Sequence, residues 1–241
     1  MRRGDFNING FVGSANGAVI TNWFDTGIPE RKITLNDSAV GLDRAILFDD
    51  GNYANREFEF EFSIQADTEA QRKSRYTAFM VALDIGKYVP ATFYFDDQYQ
   101  YQIVRMDAVD VTRPLVFSSM RIYKVKVSAA PYKYLLNVAN VSGTSLTLTN
   151  PELYYAKPHF IVKGTGAINL TVNGVVTKLT NVTTSIELDS ALQTVWRMDG
   201  VTVVNENAKM AIGKFPLLKP GTNTVSVNSG TVEVEPRWRT L

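Results

Sequence analysis

Residues 56–65 read REFEFEFSIQ. Phe58, Phe60, Phe62 and Ile64 fall on one side of an extended chain and Glu57, Glu59 and Glu61 on the other, because successive side chains of a strand point to opposite faces. The stretch therefore predicts a strand with one face in a core and the other in water. Residues 121–128, RIYKVKVS, repeat the pattern with Tyr123, Val125 and Val127 on one face and Lys124 and Lys126 on the other. A glutamate face and a lysine face attract across neighbouring strands, so the two segments are expected to lie side by side. Between them, ATFYF (91–95) and YQYQIV (99–104) alternate on either side of Asp96-Asp97-Gln98, which predicts a hairpin.

One helix interrupts this pattern, at about 68–85. Asp67 or Thr68 can cap it, Gln71 follows Thr68 at capping-box spacing, and Tyr76, Phe79, Met80 and Leu83 form an apolar stripe before Gly86 and Pro90 end it. The stripe is expected to lie against a sheet, with the polar first turns exposed.

Beyond Pro131 the aromatics thin out and Val, Thr, Asn and Gly rise through SGTSLTLTN, INLTVNGVVTKL, SIELDS, WRMDGVTVV and NTVSVNSGTVEV, which are short strands with turn signals between them. Asn173-Gly174 is a strong hairpin signal among them. A boundary between Pro131 and Val141 divides the chain into residues 1–135, a β-rich domain with one helix, and 136–241, an all-β sandwich. Met1 to Ala18 is polar and Gly-rich, and is expected to be a flexible arm. In FPLLKPGTNTVSVNSGTVEV (215–234), Lys219-Pro220-Gly221-Thr222 fits a type II turn that Asn223 can brace through its side chain. Asn228-Ser229-Gly230 then predicts a second turn, with Val232 and Val234 returning beside Val225 and Val227 as a closing hairpin. Pro236 suggests that the last strand finishes at an edge or a bulge.

With 241 residues, 45% of them hydrophobic, the chain can bury a substantial core. A formal net charge of +1 gives no global attraction to nucleic acid or anionic membrane. No cysteine is present, which removes disulfides, thiolate nucleophiles and thiolate metal sites. The start, MRRGDFNINGFVGSANGAVI, holds no unbroken apolar core of signal-peptide length, and no stretch approaches the ~20 apolar residues of a membrane span. The expectation is a protein made and folded in the cytoplasm.

Catalytic chemistry finds little support. The single histidine, His159, has alternating apolar neighbours and reads as an ordinary strand residue; one histidine with carboxylates is a poor zinc set. Asp49-Asp50 and Asp96-Asp97 are turn formers before they are catalytic or Ca²⁺-binding pairs, and neither fits an EF-hand loop. Arg3-Gly4-Asp5 and the sequons at Asn140, Asn169 and Asn181 lack a secretory context. The glycines form neither a dinucleotide fingerprint nor a phosphate loop. Trp23, Trp196 and Trp238 could stack on a sugar, yet tryptophans of a sandwich more often serve a core or an interface. No catalytic, cofactor-binding or metal-binding residue is assigned, no cofactor is expected, and partner-binding residues cannot be named from the sequence.

Taken in order, GLDRAILFDDGNYANREFEFEF (41–62), LDIGKYVPATFYFDD (83–97), VKVSAAPYKY (125–134), FPLLKPGTNTVSV (215–227) and the terminal VEVEPRWR (232–239) resemble the siphophage distal tail proteins of the phage tail-component family. The resemblance runs from about Ile33 to Arg239, with Arg44 standing where a glycine would be expected after Gly-x-Asp. It implies a mainly β chain: an N-terminal β-sandwich with one α-helix that assembles into a ring, hexameric in that family, and a C-terminal galectin-like β-sandwich outside the ring. It also implies a structural, non-enzymatic hub of the virion tail tip or baseplate. The ring would join the tail tube protein to tail-tip hub proteins and to receptor-binding or baseplate arm proteins, with DNA passing through its lumen and assembly taking place in the host cytoplasm. Specific nucleic-acid binding and membrane insertion are not expected. The exposed aromatic and charged surface of the N-terminal domain, including the flexible arm, is expected to form parts of the ring interface. A carbohydrate-binding module that recognises host surface polysaccharide is the alternative, and a hydrolase using Asp49 or Asp96 ranks well below both.

Overall fold

The computed structural model describes residues 1–37, 41, 43–113 and 120–241. Leu42, within the Gly-x-Asp motif, lies outside the described residues. Two compact units account for the chain, Met1–Lys133 together with Leu241, and Tyr134–Thr240.

The first unit carries β1 (Phe6–Ile8), β2 (Phe11–Val12), β3 (Ala18–Ile20), β4 (Arg31–Asn36), β5 (Ile46–Tyr53), β6 (Arg56–Ile64), α1 (Glu69–Leu83), β7 (Val89–Phe93), β8 (Tyr99–Arg105), β9 (Asp110–Thr112) and β10 (Arg121–Ala129). Its main sheet is antiparallel in the order β2-β1-β7-β8-β10-β6-β3. The expected neighbours β6 and β10 pair along their whole length, with Phe60 opposite Val125 and Glu59 opposite Lys126. Lys124 reaches Glu59 at 2.8 Å and Lys126 reaches Glu57 at 3.0 Å, each one step diagonally across the pair. On the other face Phe60, Phe62 and Ile64 are fully buried.

This sheet curls over. Phe6 of β1 and Phe62 of β6 lie far apart in strand order, yet their rings are 5.5 Å apart, and Phe93 of β7 lies 5.6 Å from Phe60. The two layers of the sandwich are thus one sheet folded on itself around an aromatic core, each buried ring contributing about 2 kcal/mol. Helix α1 closes one end: Phe79 packs 4.5 Å from Phe62 and 5.5 Å from Phe11, and Tyr76 stacks on Tyr123. Thr68 caps it by accepting from the Gln71 amide at 3.2 Å, while the Gln71 side chain accepts from the Asp67 amide.

The flexible arm expected at Met1–Ala18 is not there. Phe6, Ile8, Phe11 and Ala18 are core residues, and β1 pairs with β7 as an integral strand of the sheet. Asn9-Gly10 makes the β1–β2 turn with both residues at positive φ (48° and 86°), the type I′ geometry that Asn-Gly favours. Asp5 ties the segment down by accepting from the Ser14 amide and hydroxyl, both at 2.8 Å.

The second unit follows β11 (Lys133–Leu135), which lies at the division. It contains β12 (Val141–Gly143), β13 (Ser145–Asn150), β14 (His159–Lys163), β15 (Gly166–Val172), β16 (Val175–Val182), β17 (Ser185–Asp189), β18 (Thr194–Asp199), β19 (Thr202–Asn205), β20 (Met210–Ile212), β21 (Gly221–Val227), β22 (Thr231–Glu235) and β23 (Arg239–Thr240). Two sheets, β12-β22-β14-β17-β18-β19 and β13-β21-β15-β16-β20, enclose a core of Phe160, Val162, Leu188 and Val234 from one and Ile168, Leu170, Leu179 and Val225 from the other. Asn173 and Gly174 turn β15 into β16 as the sequence predicts.

The closing hairpin expected at 223–234 is overturned. β21 pairs with β13 and β15, whereas β22 pairs with β12 and β14, so Asn228-Ser229-Gly230 carries the chain from one sheet to the other. Both strands bury valines toward the same core, which alternation alone cannot distinguish from a hairpin. The crossing needs Gly230: its φ is 78°, and a Cβ there would lie 2.0 Å from the Lys163 carbonyl oxygen.

Candidate assembly surfaces

The residues singled out for chemistry are mostly occupied by structure. Asp96 sits in the β7–β8 turn and accepts from the Tyr101 hydroxyl at 2.6 Å and from Lys133 at 2.8 Å. Burial and this carboxylate together push the Tyr101 phenol far above its usual range. Asp97 pairs with the amino terminus of Met1. Asp49 and Asp50 lie inside β5 rather than in a turn between elements; Asp49 binds Arg31 and accepts from the Gly51 amide at 2.9 Å, where the strand bulges. Hydrogen bonding to Arg31 holds the Asp49 carboxyl below its ordinary range. Asp5 of the Arg-Gly-Asp triplet faces its own loop, and Gly4 is buried. Of the sequon asparagines, Asn140 binds Glu233 at 3.1 Å, the Asn169 amide donates to the Asn228 side chain, and Asn181 lies in β16.

His159 belongs to β14, as expected, but the fold gathers partners around it that are remote in sequence. Its ring stacks on Trp196, with Glu187 at 3.0 Å on one side and Glu235 at 3.5 Å on the other. Arg237 bridges Glu235 and Asp189 at 3.0 and 2.7 Å. His159 and Arg237 hold the Glu235 carboxyl down at about 2. The sequence showed no such grouping because its members come from β14, β17, β18 and β22, neighbours only after the sheet forms. Among the described residues, no three acidic or histidine side chains are placed to hold a metal ion.

Trp238 is a core residue, 5% exposed. Trp23 stands at the other extreme, 76% exposed with its ring 6.0 Å from Phe95. A further exposed apolar feature of the first unit is the β4–β5 hairpin, a two-stranded sheet that pairs with no other strand among the described residues. Leu35 lies opposite Leu47, and Thr34 opposite Phe48, so apolar residues occupy both faces. Leu35, Leu47 and Phe48 are 63%, 56% and 54% exposed. An isolated two-stranded ribbon is marginal in water, and exposed patches of this kind mark contact surfaces.

No protein-family model matches the chain, and no curated protein does. Solved structures do match. The crystal structure of the Dit protein of SPP1, described as a paradigm of the hub adsorption apparatus in phages that infect Gram-positive bacteria, superposes with a TM-score of 0.68 at 13% identity, over 95% of this chain and 96% of that chain. The phage P2 baseplate in its activated conformation, with Ca and with Sr, gives TM-scores of 0.53 and 0.54 at 8% identity, over 92% of this chain and 91% of that chain. The chain thus has, over nearly its whole length, the fold of phage tail hub and baseplate proteins.

Proposed function

We propose that this protein is a structural hub of a phage tail tip, without enzymatic activity, whose N-terminal domain (1–135) closes a homo-oligomeric ring and whose C-terminal domain (136–241) lies outside it. The observation that carries this reading is the likeness of both units together to the SPP1 hub protein over 95% of the chain. The ring joins the tail tube protein to tail-tip and receptor-binding or baseplate arm proteins, and DNA leaves through its lumen. Such a ring requires a heterologous interface, in which one patch meets a different patch of the next copy. The β4–β5 hairpin supplies one such patch, because apolar residues on both its faces gain by burial against a neighbour. Assembly takes place in the host cytoplasm, and the mature location is the virion.

Negative-stain images of the purified protein test this reading: rings with a central hole are expected, six subunits each. A chain that stays monomeric at tens of micromolar, both alone and with its tail partners, overturns it. A carbohydrate-binding role has less behind it, since Trp238 is in the core and Trp196 stacks on His159. A glycan array of the whole protein is expected to be blank.

A further inference from the structure

The second unit has a groove of 310 Å³ at the β15–β16 turn, walled on the far side by residues 214–219. The inner face of the sheet runs past the end of the core here: Val172 and Thr177 are buried, whereas Val175 is 61% exposed. Tyr155 and Leu217, 55% and 42% exposed, stand at the sides.

The walls are held rigidly from several directions. The Asn173 amide donates to the Thr224 carbonyl at 2.9 Å and its side chain accepts from the Thr224 amide at 3.0 Å, fixing the turn. Leu218 and Ala156 exchange backbone hydrogen bonds at 2.8 and 3.1 Å, an isolated antiparallel bridge that ties the segment carrying Leu217 to the one carrying Tyr155. The Thr177 hydroxyl donates to the Lys214 carbonyl at 3.2 Å, so no polar group on the floor is left wanting a ligand. A preformed apolar slot loses little ordering entropy when it is filled.

The charged residues that line it have one sign. Lys214 and Lys219 are exposed on the rim, neither ammonium is paired among the described residues, and no carboxylate lines the groove. Arg239 donates to the Tyr155 carbonyl at 2.7 Å, and Lys157 nearby has its pKa lowered by burial and by the charge of Arg239. A cationic rim around an apolar slot complements an apolar side chain flanked by carboxylates.

We propose that this groove docks an extended acidic segment of another tail protein, anchored by one large apolar side chain. The inference rests on the tail-hub reading only for placing the partner in the tail; the groove itself belongs to the C-terminal unit and its test does not depend on ring closure.

A labelled heptapeptide with one Phe flanked on each side by three acidic residues serves as the probe, titrated into the full-length protein by fluorescence anisotropy. It should bind about tenfold more tightly than the same peptide with lysines in place of the acids, and the preference should shrink with added salt. Lys214→Glu with Lys219→Glu should abolish it, while the surface change Lys73→Glu should not. Methyl NMR should place the shifts at Val175 and Leu217. Equal binding of both peptides, no binding of either at millimolar concentration, or shifts elsewhere overturn the proposal. So does dissociation of the oligomer by the double lysine variant, because the groove would then be a contact between copies of this chain. Rings by electron microscopy without peptide binding would sink this inference and leave the hub reading standing; peptide binding by a monomer would do the reverse.

Discussion

Replacing Asn223 by alanine should destabilise the C-terminal unit by about 3 kcal/mol, a large effect for one polar side chain. Asn223 is 1% exposed. Its Oδ1 accepts from the Lys219 amide at 2.8 Å and from the Asn173 side chain at 2.8 Å; its Nδ2 donates to the Lys219 and Gly221 carbonyls at 2.8 and 2.9 Å. Alanine orphans all these partners. Each buried group left without a partner costs ~1–3 kcal/mol, but Lys219 and Gly221 lie near the surface and water recovers part of the loss, which brings the figure somewhat below the low end of the sum over the four groups. Urea unfolding of the full chain, followed by tryptophan fluorescence, reports on this unit through Trp196 and the buried Trp238. With a slope of about 1.5 kcal/mol per molar urea, the midpoint should fall by about 2 M. Asn228→Ala removes a single bond to the Asn169 amide and should shift it far less. If the two variants move the midpoint equally, the turn is not held by Asn223 and the reasoning fails. A double-mutant cycle with Asn173→Ala should show coupling, since the two side chains share a bond.

Leu47→Asp with Phe48→Asp should prevent assembly of the proposed ring without lowering the unfolding midpoint, because both side chains are more than half exposed in the single chain; sedimentation velocity distinguishes this from misfolding. Phe60→Ala should cost about 4 kcal/mol and be read by thermal unfolding of the first unit. Reversing Glu59 to Lys places three cations together on the β6–β10 face, and the loss should be small, salt-sensitive and relieved by Lys124→Glu. Glu235 titrates at about 2 in the folded chain against an ordinary value of 4.5, so its stabilisation is complete above pH 4.5 and disappears as pH falls toward 2. Acid unfolding of Glu235→Gln should accordingly show a shallower limb over that range, and an unchanged limb would count against the interaction.

Where a local rule had one reading, the sequence was enough. The Glu and Lys faces of residues 57–61 and 124–126 predicted adjacency, because opposite charges on exposed faces favour one pairing. Thr68 with Gln71, Asn173-Gly174, and Pro220-Gly221 braced by Asn223 were legible because caps and turns are made by residues a few positions apart. Asn9-Gly10 carried the same signal as Asn173-Gly174, and reading it would have placed residues 6–12 in a sheet rather than in an arm. Its flanking strands are only three and two residues long, too short for alternation to register beside the surrounding polar residues.

The tertiary structure decided what depends on which strands become neighbours. Val225 and Val232 alternate alike and lie a few residues apart, yet belong to opposite sheets of the sandwich. His159, Glu187, Trp196 and Glu235 meet only because β14, β17, β18 and β22 lie in one sheet. Nothing in the sequence pairs β4 with β5, and only the fold leaves apolar residues exposed on both faces of that hairpin among the described residues. Periodicity specifies which residues seek a partner surface, since it follows from backbone geometry alone. Whether that surface is found within the chain or on another molecule is settled by long-range packing, and here the described residues leave the β4–β5 hairpin and the groove beside Val175 unfilled.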